Sequence, residues 1–252
     1  MQRIQSLFFP KIWGYEIWLV SSYEGKETYN TVTKTKTKNS PLIKIIYAKE
    51  PLSVQVHPDD DFAKELENQS NGKSESWLIL NKTKNAAIIN GLKVNDVNLI
   101  QENLSQESLE NVFNVEFIKK GDFIDIPAGK VHGVGFANSG EITLLEVQQN
   151  SDITYRLYDY NRKDNEGKPR ELHISKALKV IKNNFKKPQF YFWNDNWTVQ
   201  TQHFIWVIPK IPFICDKEGY LIKKVNGEYV AFFCESDSLI MPDNAYAFIM
   251  SK

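Results

Sequence analysis

The chain has 252 residues, enough for one large domain or two modest ones, and 42% of them are hydrophobic, a composition that excludes a disordered chain. Lys plus Arg and Asp plus Glu both number 31, so the overall field favours neither nucleic acid nor an anionic membrane as a partner. An anionic ligand would have to be caught by a few local cations.

Met1-Gln-Arg-Ile-Gln-Ser-Leu-Phe-Phe-Pro lacks the apolar run of a signal peptide, and no later run is long enough to span a bilayer. The default expectation is a cytoplasmic protein with no membrane partner. Cys215 and Cys234 are too few for a disulfide framework and are expected as buried thiols. The opening Pro10 to Ser22 is followed by Thr31-Val-Thr-Lys-Thr-Lys-Thr-Lys, which suits a loop at an edge strand. Leu42 to Ala48 reads as a buried strand. After a Lys-Glu-Pro-Leu turn comes Val54-Gln-Val-His57, a strand ended by Pro58, which has no amide to continue a ladder. Strand side chains repeat every two residues, so Gln55 and His57 share one face and can touch one object, while Val54 and Val56 anchor the other.

Asp59-Asp-Asp-Phe-Ala-Lys-Glu-Leu-Glu-Asn opens with capping carboxylates and spaces Phe62 and Leu66 four apart, which predicts a short helix broken by Asn71-Gly72. The three aspartates lack the glycine-punctuated loop of a calcium site. Ser76 to Leu80 and Ala86 to Gly91 read as strands joined by a polar turn, and Val94 to Phe113 turns helical, with Ser105 to Glu110 as a second short helix. Val115 to Ile118, Asp122 to Pro127 and Ile142 to Gln149 are short and turn-bounded, the pattern of an antiparallel sandwich or barrel. A charged, turn-rich stretch from Asn161 suggests a boundary. Ser175 to Lys182 predicts a capped amphipathic helix with Ala177, Leu178 and Ile181 on one side. Further strands follow at Thr198 to Gln202, Phe204 to Ile208, Tyr229 to Phe233 and Ala245 to Met250.

Three places carry chemistry. Gly72-Lys-Ser-Glu75, if extended, puts Lys73 and Glu75 on one face. Gly121-Asp-Phe-Ile-Asp-Ile-Pro-Ala-Gly-Lys-Val-His132 is a strand, a tight turn fixed by proline and glycine, and a histidine aimed by that turn. Glu146 shares a face with Leu144 and Gln148 and stands ten residues before Arg156. Each residue alone has a plain reading: a structural histidine, a satisfied strand amide, a surface carboxylate, a solvated lysine, or an arginine paired with Asp152 or Asp159. Trp13 and Trp18 are expected in the core, with a sugar-stacking role as the alternative, and His173 is read as structural.

The Gly121 to His132 pattern resembles the second motif of the cupins. The ordered set of Gln55, His57, Lys73, Glu75, His132, Glu146 and Arg156 resembles the type I mannose-6-phosphate isomerases, in their short bacterial form, from Trp13-Gly14 to about His173-Ile174. The resemblance implies a mainly β fold of two cupin-like β-barrel (jelly-roll) units with a few short helices. Residues 1–160 would form the metal-binding catalytic unit, and residues 161–252 a helical connector and a smaller carboxy-terminal unit. It implies one zinc ion held by Gln55, His57, Glu75 and His132, a nitrogen and oxygen donor set that zinc accepts. Arg156, Glu146 and Lys73 are implied as catalytic residues in exchanging mannose 6-phosphate and fructose 6-phosphate through a cis-enediol. A small sugar phosphate is the implied partner, for a monomer or weak homo-oligomer. For the phosphate, spacing does not choose among Arg156, Arg162, Lys163 and Lys168. Two other readings compete: a non-catalytic regulatory cupin that binds a sugar or a metal, and an iron-dependent oxygenase, which Gln55 disfavours because such sites rely on more histidine.

Overall fold

A computed structural model describes residues 1–94, 96–105, 109–163 and 167–252. The chain is mainly β, and its described strands form an eight-, a six-, a five- and a two-stranded sheet, without a closed ring of pairing. The six-stranded sheet lies in the middle, and its inner strands are buried on both faces. Its strands are Phe123–Ile126, Glu75–Lys82, Ile142–Gln148, Leu42–Ala48, Gly14–Val20 and Leu7–Lys11, in that order across the sheet. Alternation along these strands sorts the residues. Ile43, Ile45, Leu78, Leu145 and Val147 face the eight-stranded sheet, where they meet Phe204, Trp206, Ile222 and Ile249. Ile46, Trp77, Ile79, Ile124 and Leu144 face the other way and pack with Ile88 and Val134 of the five-stranded sheet.

The five-stranded sheet comprises Tyr155–Tyr158, Val54–Val56, His132–Val134, Ala87–Leu92 and Phe113–Phe117. Its outer face is covered through Ala63, Ile100, Ala177 and Val180, which come from the helices Asp60–Glu67, Val97–Ser105 and Ile174–Val180. On the far side of the molecule, Phe213 and Ile240 of the two-stranded sheet pack on the eight-stranded one. The amino-terminal strand Gln2–Gln5 pairs with Glu228–Cys234, so the first residues of the chain complete the carboxy-terminal sheet. Trp206 Nε1 donates to Ser76 Oγ at 3.0 Å, a buried polar tie between the eight- and six-stranded layers. No described helix is long and apolar enough to cross a membrane.

Most expected elements are present with shifted ends. The polar turn after Lys82 does not close a hairpin: Glu75–Lys82 pairs in the six-stranded sheet and Ala87–Leu92 in the five-stranded one, so the turn carries the chain between layers. Asp59 caps the first helix, accepting from Phe62 N–H at 3.0 Å. That helix ends at Glu67 because Asn68 takes up a left-handed conformation, φ 54°, earlier than the expected Asn71-Gly72 break. Of the expected Ser105 to Glu110 helix, residues 106–108 lie outside the described residues, and a single turn of helix, Leu109–Val112, follows them. The connector helix starts at Ile174, with His173 rather than Ser175 in the capping position and no side-chain cap bond. Ala177 and Val180 are its most buried residues. Cys215 and Cys234 are buried free thiols, as expected.

Gly14 shows how tightly the central sheet is built. At φ 147° it lies beside the neighbouring strand, and a Cβ there would come within 2.0 Å of the Tyr47 carbonyl oxygen. A backbone atom cannot swing aside as a side chain can. We expect Gly14→Ala to destabilise the fold by about 2 kcal/mol or more, read as a lower urea midpoint with an unchanged slope. An unchanged midpoint would show that the two strands can separate there at little cost.

Candidate metal centre and cavity

The interior between the five- and six-stranded sheets is apolar at one end and polar at the other. Moving along the inward face of the six-stranded sheet, Ile46, Ile79 and Leu144 give way to Lys44, Glu75 and Glu146. Opposite them, the five-stranded sheet brings Gln55 and His132 into direct cross-strand register, with Arg156 on the other side of Gln55. His57 follows the short strand Val54–Val56, whose two valines are fully buried on the far face. The alternation expected from the sequence holds.

Local chemistry aims each donor. Pro127-Ala-Gly-Lys130 is a β-turn closed by the Lys130 N–H donating to the Pro127 carbonyl, with Gly129 at φ 90° in the position that needs a positive φ. His132 emerges two residues later, and its Nδ1 hydrogen-bonds the Lys130 carbonyl at 2.8 Å. His57 Nδ1 makes the matching bond to the Ile153 carbonyl, also at 2.8 Å. A carbonyl can only accept, so each ring carries a proton on Nδ1, and a neutral ring so held presents Nε2 as a bare lone pair. Burial, and then the charge of Lys73, push His57 down to about 3, which keeps that ring neutral.

Both lone pairs point at Glu75. His132 Nε2 lies 3.2 Å from Glu75 Oε1, and His57 Nε2 lies 3.5 Å from Oε2. Burial alone would raise the Glu75 carboxyl, but the charge of Lys73 beside it outweighs that and holds the group well below its ordinary value. With neutral rings, two imidazole nitrogens and a carboxylate meet as three acceptors in the buried interior. His57 Nε2 and both Glu75 oxygens are buried without a hydrogen-bond partner, and the donor atoms of His57, Glu75 and His132 lie within 4.8 Å of one another. Such a set fits a cation and little else. Gln55 is at the edge of the cluster, its amide nitrogen 3.4 Å from His132 Nε2. Turning that amide over would present its oxygen as a fourth donor.

Beside this centre lies a cavity of about 120 Å³, lined by Gln55, Lys73, Glu146 and Arg156 together with Trp13 and Arg170. Lys73 is buried, not solvated, with its Nζ 3.3 Å from Glu75 Oε2. Glu146 accepts from Trp77 Nε1 at 2.9 Å and pairs with Lys44 at 3.0 Å. Its carboxyl is raised by burial and by the charge of Glu75. Arg156 is not paired with Asp152 or Asp159, the plain reading of it: the Asp159 carboxylate is taken by Arg162 and Arg170. Instead Arg156 Nε is buried with no hydrogen-bond partner. His173 is structural, as expected, since its Nδ1 accepts from the Arg156 N–H at 3.2 Å and fixes that stretch of backbone. Trp13 and Trp18 are both core residues, and Trp13 also walls the cavity.

Sequence reasoning missed three residues here. Lys44 is buried in mid-strand and donates to Gln148 Oε1 at 2.6 Å, besides its pair with Glu146. Glu16 accepts from Trp18 Nε1 at 2.7 Å and stays ionised despite burial because Lys44 and Lys11 lie close. Arg170 faces the cavity from beyond the expected boundary. The available signal was a lone charge in each of two apolar strands, Leu-Ile-Lys44-Ile-Ile and Tyr-Glu16-Ile-Trp. Of the candidate phosphate residues, Arg156 lines the cavity, whereas Arg162 is committed to Asp159 and the Pro51 carbonyl, and Lys163 forms a β-bridge with Pro169.

Fold and site together define a mainly β protein of cupin-like fold with a buried cluster able to take a metal ion. Its relatives are more specific. Mannose-6-phosphate isomerase ManA of Bacillus subtilis is 44% identical over 140 residues, 56% of this chain and 43% of that protein. The mannose-6-phosphate isomerase of Streptococcus mutans is 36% identical over 148 residues, 58% of this chain and 45% of that one. The chain thus spans less than half the length of these relatives in the matched region. In structure, the mannose 6-phosphate isomerase of Bacillus subtilis superposes with a TM-score of 0.74 at 22% identity, covering 100% of this chain and 97% of that one, a likeness of fold. No family model matches the chain. The sequence resemblance to mannose-6-phosphate isomerases holds.

The buried pair of Lys44 and Glu146 can be tested apart from any reaction. Lys44→Met would leave the Glu146 carboxyl buried without its cation, and should cost about 3 to 5 kcal/mol in denaturant unfolding. Adding Glu146→Gln should recover most of that loss. If the two substitutions simply add, the two side chains do not interact.

Proposed function

We propose that the chain is a zinc-dependent aldose–ketose isomerase that exchanges mannose 6-phosphate and fructose 6-phosphate through a cis-enediol. The observation that carries this reading is the buried meeting of three acceptors, two imidazole lone pairs and one carboxylate, beside a cavity walled by Lys73, Glu146 and Arg156. The sequence similarity to two mannose-6-phosphate isomerases supports it. Residues 1–160 would act as the metal-binding catalytic unit, and residues 161–252 as connector and smaller second unit.

Gln55, His57, Glu75 and His132 would hold the ion. Zinc, when bound, supplies Lewis acidity that stabilises negative charge growing on the sugar oxygens. Arg156 adds fixed positive charge: a guanidinium keeps its proton, so it can stabilise an enediolate without competing for the proton in flight. The reaction moves one proton between neighbouring carbons, which requires a single group that reaches both from one side. Glu146 is assigned to that shuttle, or to orienting the sugar hydroxyls. Trp77 and Lys44 fix its carboxyl, and its raised affinity for a proton suits a group that must take one up and give it back. Lys73 is assigned to ring opening, where an ammonium can protonate the ring oxygen. Trp13 and Trp77 limit water access from their side of the cavity.

A coupled assay with mannose 6-phosphate tests the proposal. We expect turnover that chelation abolishes and zinc restores. Arg156→Ala should lower kcat by about a hundredfold to a thousandfold with metal content unchanged. Absence of turnover with every divalent metal would overturn the isomerase and leave a non-catalytic cupin that binds a sugar or a metal.

A further inference from the structure

The eight-stranded sheet ends on an unguarded strand. Among the described residues, Gln189–Trp193 pairs only with Asn196–Gln200, and its other edge has no neighbour. Edge strands usually carry a charge, a proline, a bulge or a cover that prevents pairing with another chain. Gln189-Phe-Tyr-Phe-Trp193 carries none within it, and Phe190, Tyr191 and Phe192 are 53%, 38% and 74% exposed. The opposite end of the sheet is the two-residue strand Tyr29–Asn30, too short to act as a template. We propose that the Gln189–Trp193 edge is the contact of a symmetric dimer, in which this strand pairs antiparallel with its own copy about a dyad at Tyr191.

The hydrogen-bond pattern selects that register. Asn194 and Asp195, at φ 47° and 58°, form a two-residue turn with both central residues left-handed. Residues flanking such a turn exchange both backbone bonds, and the exchange recurs at every second pair. Trp193, Tyr191 and Gln189 therefore spend their backbone groups on Asn196, Thr198 and Gln200, while Phe190 and Phe192 point theirs outward. A dyad at Tyr191 sets Phe190 against the partner's Phe192, and Phe192 against the partner's Phe190, so every outward N–H and C=O of the four is used. Moving the dyad to Phe190 would oppose Phe192 to the partner's Pro188, which has no N–H. Moving it to Phe192 would oppose Phe190 to the partner's Asn194, which lies in the turn.

Charge and apolar surface agree with the same register. Beyond each end of the paired segment Lys187 lies toward the turn that carries the partner's Asp195, so opposite charges flank an uncharged centre. Phe190 packs against Trp197 with ring centroids 5.4 Å apart, and Phe192 borders an apolar cleft of about 590 Å³ with Leu78, Ile208 and Tyr246. Cross-strand neighbours share a face, so the phenylalanines of both copies would form one row along that cleft. A contact of this kind is isologous and closes after two copies, leaving no free aromatic edge.

Sedimentation of the full chain over a range of concentrations tests the proposal, because Tyr191 faces itself on the dyad. The unaltered protein should move from once to twice the chain mass as concentration rises. Tyr191→Lys and Tyr191→Glu should each stay at the chain mass, since each sets like charges face to face, and mixing the two in equal amounts should restore the doubled mass. Circular dichroism and isomerase turnover should be unchanged in both variants. A wild-type chain that stays monomeric up to millimolar concentration would overturn the proposal. So would variants that dimerise separately, or a mixture of folded variants that does not recover the dimer.

Discussion

Two imidazole lone pairs and a carboxylate, brought together where no water can separate them, form the constraint on which the site depends. At an effective dielectric constant of about 20, a pair of unit charges 4 Å apart is worth about 4 kcal/mol, so the ammonium of Lys73 can answer the charge of Glu75. It cannot answer the lone pairs of His57 and His132, whose protons are committed to backbone carbonyls on the other side of each ring. A neutral ring can become a donor to Glu75 only by giving up that bond. The geometry thus stores an unmet demand for a cation, and the carbonyls of Ile153 and Lys130 keep the demand aimed at one point.

The sheets make that arrangement tolerable. A charged group inside a sandwich is costly unless it is paired, and around the cluster the neighbouring charges have partners: Lys44 with Glu146 and Gln148, Glu16 with Trp18, Lys73 with Glu75. The same strands that carry these charges on one face carry Ile43, Ile45, Leu145 and Val147 on the other, packed against the eight-stranded sheet. Each burial of such a side chain contributes about 1.5 to 3 kcal/mol, and it is this layer that offsets the strain of a polar interior. The second sheet is therefore a support for the site, even though none of the proposed metal ligands comes from it.

What the sequence disclosed, and what it did not, follows from the range of the interactions. Gln55 and His57 could be placed on one face because a strand's alternation is local, and His132 could be aimed because Pro127, Ala128 and Gly129 define a turn within four residues. Lys44 and Glu16 received no assignment, since a single charged residue in a strand does not say which face is inward. That depended on Leu42–Ala48 pairing with Ile142–Gln148, about a hundred residues away in the chain. Helix ends were misplaced for a similar reason: Asn68 ends its helix by adopting a left-handed conformation, and tertiary contacts rather than Ser175 start the connector. The strand Gln189–Trp193 was passed over because all of its residues but Gln189 are aromatic, which hides the alternation that marks a half-buried strand.

The account rests on the donors of four side chains meeting at one ion, and anomalous diffraction from crystals of the zinc-loaded protein at the zinc edge tests this most directly. It predicts one strong peak per chain, within bonding distance of His57 Nε2, His132 Nε2, a Glu75 oxygen and the side-chain oxygen of Gln55. A peak elsewhere on the chain, or an empty cluster with Gln55 turned away from His132 at saturating zinc, would contradict it.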